Sequence, residues 1–305
     1  SRSSVQTLVK GGYVELDLAR PDAPEGTGER RVERRPGVRL QHGTRVYVRV
    51  PDEYRALLTG ETSDELDVLH EDRDCLAVNK PPLIAVHPSG RHMTDTLIQR
   101  VHKRFQEEIE AGAMLPRLCH RLDRETSGIV LVGKRPATQG ALTTQFEDRL
   151  VEKEYLAIVE GTPEQAEGSI DAPIRLSTTS PVELQMTTAA DGLPCQTDWR
   201  VEASAGGYSR LRLRIHTGRQ HQIRVHMAAI GTPIVGDKLY GPDREIFLRS
   251  AAGTLTDWDR EQLVIDRHAL HSARLVFRSP AADAPTCIES GLPGDLAEAF
   301  PQFAG

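Results

Sequence analysis

Residues 120–128, His-Arg-Leu-Asp-Arg-Glu-Thr-Ser-Gly, place one carboxylate between two cations and directly precede the apolar run Ile-Val-Leu-Val. Asp123 lies between Arg121 and Arg124, and nearby positive charge favours the ionised form of a carboxyl group. An ionised aspartate on a turn backed by a stiff strand is suited to act as a nucleophile or a base. Alone, the same pattern is also typical of a solvated turn with a surface ion pair, so its meaning depends on the rest of the chain.

Basic residues are concentrated in one window of the chain. The net charge is -6, which by itself argues against a polyanion as partner. Residues 203–236, however, contain no Asp or Glu. They contain Arg210, Arg212, Arg214, Arg219, Arg224, His216, His221 and His226. A basic face on an acidic body predicts a selective polyanion site, although an ordinary strand with a solvated basic edge has the same composition.

The three histidines of this window could suggest a metal site. His216, His221 and His226 are spaced five apart, which does not place them on one helical face. No cysteine or acidic residue completes a ligand set. The sequence therefore predicts no metal.

Composition and cysteine spacing limit the class of protein. The chain has 305 residues, of which 38% are hydrophobic and 27% charged, which is typical of a globular protein with its own core. The four cysteines have neither metal-ligand spacing nor a disulfide framework, which favours a reducing cytoplasm. We find no apolar run that could span a membrane, and expect neither a membrane partner nor a secretory leader.

The hydrophobic patterns predict an α+β fold. Strands are predicted at 67–70, 75–78, 129–133, 152–159, 197–203, 209–216 and 269–277, with short strands within 169–192. Helices are predicted at 94–110, 136–149, 220–230 and 294–300, and residues 242–266 are predicted to be irregular. Because both hairpins and helices join the strands, we predict a mixed, mostly antiparallel sheet with flanking helices and a central basic cleft.

Three segments, taken together, carry a family resemblance. The first is residues 120–128, and the second is Glu-Lys-Glu-Tyr-Leu-Ala at 152–157. The third begins with Thr-Gly-Arg-Gln-His-Gln-Ile-Arg-Val-His at 217–226 and ends with Gly-Thr-Pro-Ile-Val-Gly-Asp at 231–237. In order and spacing they resemble the RluA-type pseudouridine synthases, over about residues 67–277. Arg-His-Ala-Leu-His at 267–271 is similar to the last motif of that family.

The resemblance implies the pseudouridine synthase fold and an isomerase that acts on structured RNA. Such enzymes break the bond between a uridine base and its ribose, turn the base and rejoin it through carbon 5, without cofactor, metal or energy source. The resemblance implies Asp123 as the catalytic aspartate and Arg224 as its basic partner. It implies that Tyr155 stacks on the uracil and is a candidate for assisting proton removal at carbon 5.

The resemblance also implies residues that bind the substrate. Leu270 falls at an apolar wall of the pocket, and Arg121 lies where an arginine fills the gap left by the extruded base. Lys80, in Asn-Lys-Pro-Pro, matches a family element near the active site, although a plain strand-end lysine has the same pattern. His120 and His221 are expected to donate structural hydrogen bonds rather than act as acid or base. The predicted substrate-binding residues are Arg121, Arg124, Leu270, Lys80, Arg219 and His221.

Residues 1–50 are predicted to form a separate unit. A helix within 3–12, a strand at 13–16, a polar loop at 21–35 and a strand at 38–50 follow in this order. The order resembles the second half of the S4-like RNA-binding module, which implies a partial module of this kind. Residues 51–61 are a predicted linker, and residues 62–305 are the predicted catalytic domain.

The residue types agree with this chemistry. A base inside a stacked stem must be flipped out before it can react, which requires an aromatic face, such as Tyr155, and cations along the phosphates. A carboxylate below the sugar can stabilise the oxocarbenium character that develops there. A hydrolase would need a second carboxylate, but Glu125, two residues on in a turn, is expected to point elsewhere. Whether Asp123 attacks the sugar or removes a proton from it stays open.

Other functions also stay open. The alternatives are a non-catalytic RNA-binding protein and a nucleoside or glycoside hydrolase. For the isomerase, the S4-like unit favours large-subunit ribosomal RNA, whereas the His-Pro-Ser-Gly-Arg loop at 87–91 is also present in relatives that act on transfer RNA. We expect a cytoplasmic enzyme that is monomeric.

Overall fold

One large sheet carries the regions predicted to do chemistry. The computed structural model describes residues 6, 8–17, 29–40, 42–49, 62–63, 65–88, 92–282 and 284–304. The predicted linker at 51–61, most of the predicted loop at 21–35 and part of the predicted helix at 3–12 lie outside the described residues. Residues 89–91 of the His-Pro-Ser-Gly-Arg loop at 87–91 also lie outside them.

The strands, in chain order, are β1 (Val14–Asp17), β2 (Arg30–Glu33), β3 (Val46–Val48), β4 (Val68–Glu71), β5 (Cys75–Lys80), β6 (Arg117–Leu118), β7 (Ser127–Gly133), β8 (Glu152–Glu160), β9 (Glu167–Asp171), β10 (Ile174–Leu176), β11 (Met186–Thr188), β12 (Gln196–Ala205), β13 (Tyr208–Ile215), β14 (Leu270–Phe277) and β15 (Thr286–Glu289).

The helices are α1 (Leu97–Arg104), α2 (Gln106–Glu110), α3 (Pro136–Glu147), α4 (Gln222–Ala229), α5 (Glu245–Ala252), α6 (Asp257–Leu263) and α7 (Gly294–Ala299), followed by a 3-10 turn at Pro301–Phe303. In the part of the chain that the structure describes, none of them has both the length and the apolar character needed to cross a membrane.

The sheet order is β4-β5-β7-β14-β8-β13-β12-β9, with β15 added to β14 and β6 added to β7. Strands β7 and β14 are parallel, and the other neighbouring pairs of this sheet are antiparallel. The predicted α+β class, with a mixed and mostly antiparallel sheet, is confirmed.

The centre of the sheet is buried on both faces. All seven residues of β7 are buried. Val130 and Val132 pack into one apolar cluster, whereas Ile129 and Leu131 pack into the other, because successive strand residues point to opposite faces. A strand that is buried on both faces is apolar without alternation, as β7 is. It therefore forms a rigid support for the turn that precedes it.

The structure corrects the prediction for residues 242–266, which contain α5 and α6 rather than irregular chain. The Thr256 side chain accepts the backbone N–H of Asp259 at 3.1 Å, and the Asp259 carboxylate accepts the backbone N–H of Thr256 at 2.9 Å. This reciprocal cap satisfies the free N–H groups at the start of α6. Arg249 of α5 donates two hydrogen bonds to Asp259, at 2.8 and 2.6 Å, and so joins the two helices.

Two other predicted elements are shorter than expected. The helix predicted over 94–110 is interrupted at Phe105, whose φ of -107° ends α1 before α2 begins. Phe105 is buried in the core with Leu97 and Val101, so the apolar helical pattern continues up to the residue at which α1 ends. The strand predicted over 38–50 is reduced to β3 among the described residues, because a turn at Gly43, with φ of +84°, precedes it.

The N-terminal region contains a sheet of its own, in the order β2-β1-β3, with both pairs antiparallel. Val14 and Leu16 of β1 are buried, and the Arg30 guanidinium lies 3.9 Å from the centre of the Tyr47 ring. The S4-like assignment stays a prediction, as do the unit boundaries at 1–50, 51–61 and 62–305.

Gly128 brings the turn before β7 against β14. Its φ is +107°, and a Cβ atom built there would lie 2.2 Å from the carbonyl oxygen and 2.6 Å from the nitrogen of Ser272. Only glycine allows both this backbone conformation and this close approach. The parallel pairing of β7 with β14 therefore depends on the last residue of the Asp123 segment.

We predict that Gly128→Ala lowers the free energy of unfolding by at least about 3 kcal/mol, because backbone strain and a backbone clash coincide. Urea denaturation measures the effect. Gly140→Ala is the matched control, because Gly140 lies within α3 and a Cβ atom there meets nothing within 4 Å. It should stabilise the protein by about 0.4–1 kcal/mol. Equal stability of the two variants would contradict this account of the junction.

Candidate active site

A buried guanidinium joins two carboxylates from distant parts of the chain. Arg224 Nη1 donates to Asp123 Oδ2 at 2.9 Å. The other edge of the same guanidinium donates to Asp237, from Nε to Oδ2 at 2.6 Å and from Nη2 to Oδ1 at 2.9 Å. The predicted contact between Asp123 and Arg224 is present. The structural part played by Asp237 was missed, although the Gly-Asp pair at 236–237 belongs to the third motif.

The backbone holds Asp237 in place. Its Oδ1 accepts the N–H groups of Leu239 and Tyr240 at 2.9 and 3.0 Å, and its side chain has no exposed surface. Gly236, just before it, has φ of +75°, and a Cβ atom there would lie 2.1 Å from the carbonyl oxygen of Arg267. A turn that demands glycine therefore fixes the carboxylate that orients Arg224 on α4.

The pKa of Asp123 lies below its ordinary value. Burial, the largest single influence, would raise the pKa of this carboxyl, but the charge and hydrogen bond of Arg224 and the nearby His221 and His268 together outweigh it. The pKa of Asp237 is also lowered, because the charge and hydrogen bonds of Arg224, with further donors around the carboxylate, together outweigh its burial. Asp123 is thus an anion at neutral pH, and 24% of its side chain is exposed, against 9% for Arg224.

Tyr155 and Leu270 form another part of the same site. Strands β8 and β14 pair so that Tyr155 lies opposite Ser272 and Leu270 opposite Ala157. Both side chains line a cavity of about 90 Å³ together with Asp123 and Arg224. Burial raises the pKa of Tyr155 to about 12, so this phenol is neutral at pH 7.

His221 lies close to Asp123 just before α4. Its Nε2 is 3.9 Å from Asp123 Oδ2, and its Nδ1 is hydrogen-bonded to the Tyr240 hydroxyl at 2.9 Å. Burial, with the charge of Arg224, lowers the pKa of His221 to about 4. The imidazole is therefore neutral at pH 7, which fits the expected structural hydrogen bond.

The predicted RNA-facing arginines are not equivalent. Arg121 is exposed and Arg219 half-buried, and both line the cavity that holds Asp123. Arg124 is exposed outside that wall, where it donates to the Leu83 carbonyl at 3.4 Å. Arg121 and Arg219 thus contact the space that a substrate would occupy.

The prediction that Lys80 binds the substrate is wrong. Lys80 is fully buried, and its Nζ donates to the carbonyl oxygens of Pro81, Ile84 and Arg124 at 2.9, 2.9 and 3.1 Å. Three N–H donors are thus matched by three backbone acceptors. Burial and the charge of Arg267 lower the pKa of Lys80 to about 7. Lys80 supports the Asp123 turn from behind and does not reach its open side.

The side chains of His120 and Glu125 make hydrogen bonds that do not involve Asp123. His120 Nε2 accepts the backbone N–H of Leu131 at 3.0 Å, so the predicted structural hydrogen bond has this histidine as acceptor rather than donor. Burial lowers the pKa of His120 to about 4. The Glu125 carboxylate accepts from Lys238 Nζ at 3.0 Å to both oxygens, as expected for a residue that points elsewhere.

Three arginines of the acid-free window, Arg210, Arg212 and Arg214, share one face of β13. Arg212 pairs with Glu202 and Glu154 from the neighbouring strands, at 2.6 and 3.3 Å, and Arg210 pairs with Glu202 at 3.1 Å. The alternate residues Leu211, Leu213 and Ile215 are buried. Neighbouring strands thus supply the acids that the window lacks, and these two arginines are already neutralised.

The three histidines of the window do not meet. His216 pairs with Asp198 at 2.6 Å, and His226 bonds to Thr197 at 2.9 Å, while His221 faces Tyr240.

A different group of possible ligands consists of His70, Asp72 and Cys75, whose ligand atoms lie within 4.8 Å of one another. Asp72 already accepts hydrogen bonds from Ser279 and from the backbone of Asp74 and Cys75, at 2.5, 2.7 and 2.7 Å. Burial raises the pKa of the Cys75 thiol to about 12, which disfavours the thiolate that a metal would need. The group fits a hydrogen-bonded turn better than a metal centre.

We predict that Asp237→Ala lowers the free energy of unfolding by about 3–5 kcal/mol, because it leaves Arg224 buried with two of its three hydrogen bonds unmade. Urea denaturation at pH 7 measures it. In the control Asp191→Ala, the lost carboxylate is 75% exposed and pairs with Arg175 at the surface. The control should cost no more than about 1 kcal/mol. Similar losses in both variants would show that the buried pair does not support the fold.

Comparison with known proteins places this geometry in a family. The family model described as RNA pseudouridylate synthase matches residues 74–229. The RNA pseudouridine synthase YlyB of Bacillus subtilis, itself described as uncharacterized, is 32% identical over 98% of this chain and 88% of its own length. The ribosomal large subunit pseudouridine synthase D of Xanthomonas campestris is 33% identical over 97% of this chain and 82% of its own.

A solved structure shows the same architecture. The human RNA pseudouridylate synthase domain containing 1 superposes with a TM-score of 0.60 at 26% identity, covering 79% of this chain and 90% of its own. The chain belongs to the RluA-type family of RNA pseudouridine synthases, and it is an isomerase that acts on RNA.

Proposed function

We propose that this RNA pseudouridine synthase modifies uridine in large-subunit ribosomal RNA, with Asp123 as its catalytic residue. The observation that carries the catalytic assignment is the 2.9 Å contact between Arg224 and Asp123 at the wall of the cavity that Tyr155 also lines. Support for the RNA target comes from the relative named ribosomal large subunit pseudouridine synthase D, which matches 97% of this chain.

The ionised carboxylate of Asp123 starts the reaction. As the bond between uracil and ribose breaks, positive charge develops at the sugar, and a carboxylate beside it stabilises that charge. Arg224 keeps Asp123 ionised and fixes its orientation. Attack on the sugar and removal of a proton from it both begin with this anion. The base then turns and rejoins the sugar through carbon 5. The proton of carbon 5 passes to water, and nitrogen 1, freed from the sugar, takes up a proton, so the composition of the RNA is unchanged.

Tyr155 and Leu270 hold the base during this turn. The neutral phenol of Tyr155 offers an aromatic face for the uracil, and base–aromatic stacking contributes about 1–3 kcal/mol. Because burial raises the pKa of Tyr155 to about 12, stacking suits this residue better than general-base catalysis at pH 7. Leu270, 5% exposed, closes the apolar side of the pocket.

The carboxylates near the site favour isomerisation over hydrolysis. Hydrolysis needs a second carboxyl group to protonate the leaving group or activate water. Glu125 is paired with Lys238, and Asp237 is paired with Arg224. Asp123 thus acts alone, which suits a base that leaves and returns without water. We extend the proposal to a monomeric enzyme in the cytoplasm, where ribosomal RNA is available.

Mapping of pseudouridine in total RNA tests the proposal. A deletion strain should lose one or a few pseudouridines in large-subunit ribosomal RNA, and the wild-type chain should restore them. Asp123→Asn should not restore them, because the amide cannot carry the charge, and its rate in vitro should fall by at least about a thousandfold. If the deletion strain instead loses pseudouridines in transfer RNA, the proposed ribosomal target is wrong, but the proposed reaction is not affected. Release of free uracil would instead identify a hydrolase.

Removal of the Arg224 charge should move the acid limit of activity. In the wild-type enzyme the depressed pKa of Asp123 keeps the anion as pH falls, so activity persists through pH 5 and is lost only as pH falls through that depressed pKa. In Arg224→Gln, the charge of Arg224 no longer offsets the effect of burial on the pKa of Asp123. The pH at which activity is lost on the acid side should therefore rise by about 1–3 units. Single-turnover rates between pH 4 and 8 measure it.

Arg224→Gln is preferable to Arg224→Ala because the amide can still donate to buried Asp237. Thermal unfolding should show that the variant is folded at each pH. A folded variant with the wild-type pH profile would contradict the proposed role of Arg224.

A further inference from the structure

A second cavity, of about 400 Å³, adjoins the cavity that holds Asp123. Arg121, Tyr155 and Arg219 line both cavities. The second cavity then extends away from Asp123 towards the end of α3, where Phe146 and Glu147 lie. A ligand in it would therefore be next to a base held against Tyr155.

Four cations line this second cavity, and one carboxylate, Glu147, accompanies them. The cations are Arg121, Arg149, Lys153 and Arg219. Among the described residues, none of the four has a carboxylate within 4 Å, whereas Arg212, Arg224 and Arg267 of the same sheet region are paired. The cavity thus carries positive charge that the fold does not neutralise.

Lys153 is the most confined of these cations. It is 7% exposed and lies two residues before Tyr155 on β8, so the two side chains point to the same face of the sheet. In the described chain its Nζ has one long hydrogen bond, to the Thr217 carbonyl at 3.5 Å. Burial and the nearby charge of Arg149 lower the pKa of Lys153. A buried ammonium with so few acceptors gains more from a bound anion than an exposed one does.

Arg219 also has too few hydrogen-bond acceptors. Its Nε is buried and has no hydrogen-bond partner in the described structure. A buried donor without an acceptor is costly, so an acceptor supplied by a ligand would be favourable.

The rest of the wall is apolar and includes an aromatic ring. Phe146 is half-buried and stacks on His120, with ring centres 4.5 Å apart, and Ile215 is 7% exposed. The volume of about 400 Å³ falls in the range of about 300–1,000 Å³ that is usual for small-molecule sites. This volume is larger than a phosphate group requires, and the apolar wall gives a phosphate no hydrogen-bond donor.

We propose that this cavity is a second nucleotide subsite, which holds the nucleotide next to the target uridine in the RNA chain. Its phosphate contacts Lys153 and Arg149, and its base packs on Phe146. That the base held against Tyr155 in the adjoining cavity belongs to the reacting uridine rests on the proposed function. The subsite lets the enzyme hold the chain on one side of the flipped base, which offsets part of the cost of flipping.

The probe is a fluorescent twelve-residue oligouridylate, whose binding does not require the natural target. Each phosphate contact adds about 0.7 to the slope of log K against log salt for single strands. Lys153→Met should therefore lower the magnitude of that slope by about 0.7 and weaken binding about fivefold at 0.1 M salt. Lys153→Arg keeps the charge and should keep the wild-type slope. Fluorescence anisotropy at several salt concentrations measures both.

Loss of the contact with the base should change binding without changing its salt dependence, unlike loss of the contact with the phosphate. Phe146→Leu keeps an apolar side chain but removes the aromatic face. It should weaken binding at least about threefold at every salt concentration without changing the slope, because stacking releases no counterions.

Arg200→Met is the matched control for charge. Arg200 is exposed on β12 and lines neither cavity, so its loss should leave the slope unchanged. Thermal unfolding verifies each variant, and Arg149→Met, at an exposed residue, repeats the test if Lys153→Met does not fold.

An unchanged slope in both Lys153→Met and Arg149→Met would overturn the subsite. So would equal losses in Lys153→Met and Arg200→Met, since they would show a general charge effect. The catalytic proposal fails separately, because a chain that forms no pseudouridine can still show these differences in oligouridylate binding. A loss confined to the cavity variants supports the subsite in either case.

Discussion

The active site depends on one guanidinium held between two carboxylates. Asp237 has no exposed surface, and two backbone N–H groups fix its position. A buried anion of this kind needs a buried cation, so Arg224 cannot leave it without a large loss of stability. The free edge of the guanidinium then determines where Asp123 is held. The position of the half-buried Asp123 carboxylate is thus set from inside the protein, through an aspartate that has no exposed surface.

The sheet gives the second constraint. β7 is buried along its whole length, and it joins β14 at Gly128, where no Cβ atom could fit. β14 in turn sets Leu270 and Ser272 opposite β8, which carries Tyr155. The turn of Asp123 and the cavity wall formed by Tyr155 and Leu270 are therefore parts of one rigid unit. Lys80 adds to this rigidity, since its ammonium binds three carbonyl groups behind the turn.

Much of the fold and of the candidate site could be predicted from the sequence, and the physical reasons differ from one part to another. The strands that flank the site have clear apolar patterns, and the contact between Asp123 and Arg224 followed from motif spacing that resembles a family. Lys80 was misjudged because a sequence pattern places it near the site but does not show on which side of the backbone its side chain lies. Asp237 was overlooked because it is an ordinary acidic residue until the fold buries it against Arg224.

Errors in secondary structure had local causes. The helices within 242–266 were missed although Thr256 and Asp259 have the spacing of a reciprocal helix cap. The helix predicted over 94–110 is interrupted at Phe105, although Phe105 packs into the core with Leu97 and Val101 at helical spacing. The cap spacing was overlooked in the first case, whereas in the second the apolar period was right and does not show where the helix breaks.

The charge pattern also shows the difference between what a sequence window suggests and what the folded chain brings together. A window without acids suggested that all its arginines face a polyanion, but Glu154 and Glu202 reach Arg210 and Arg212 from neighbouring strands. The cations that remain unpaired include some that the window does not contain. Lys153 comes from β8, and it lines a cavity with Arg219 of the window. Unneutralised charge is therefore a property of the folded surface, and part of it lies at the two cavities that share Tyr155. A chain with a net charge of -6 can present positive charge there because, in the described structure, its acidic residues pair with arginines such as Arg210 and Arg212 rather than with Lys153 or Arg219.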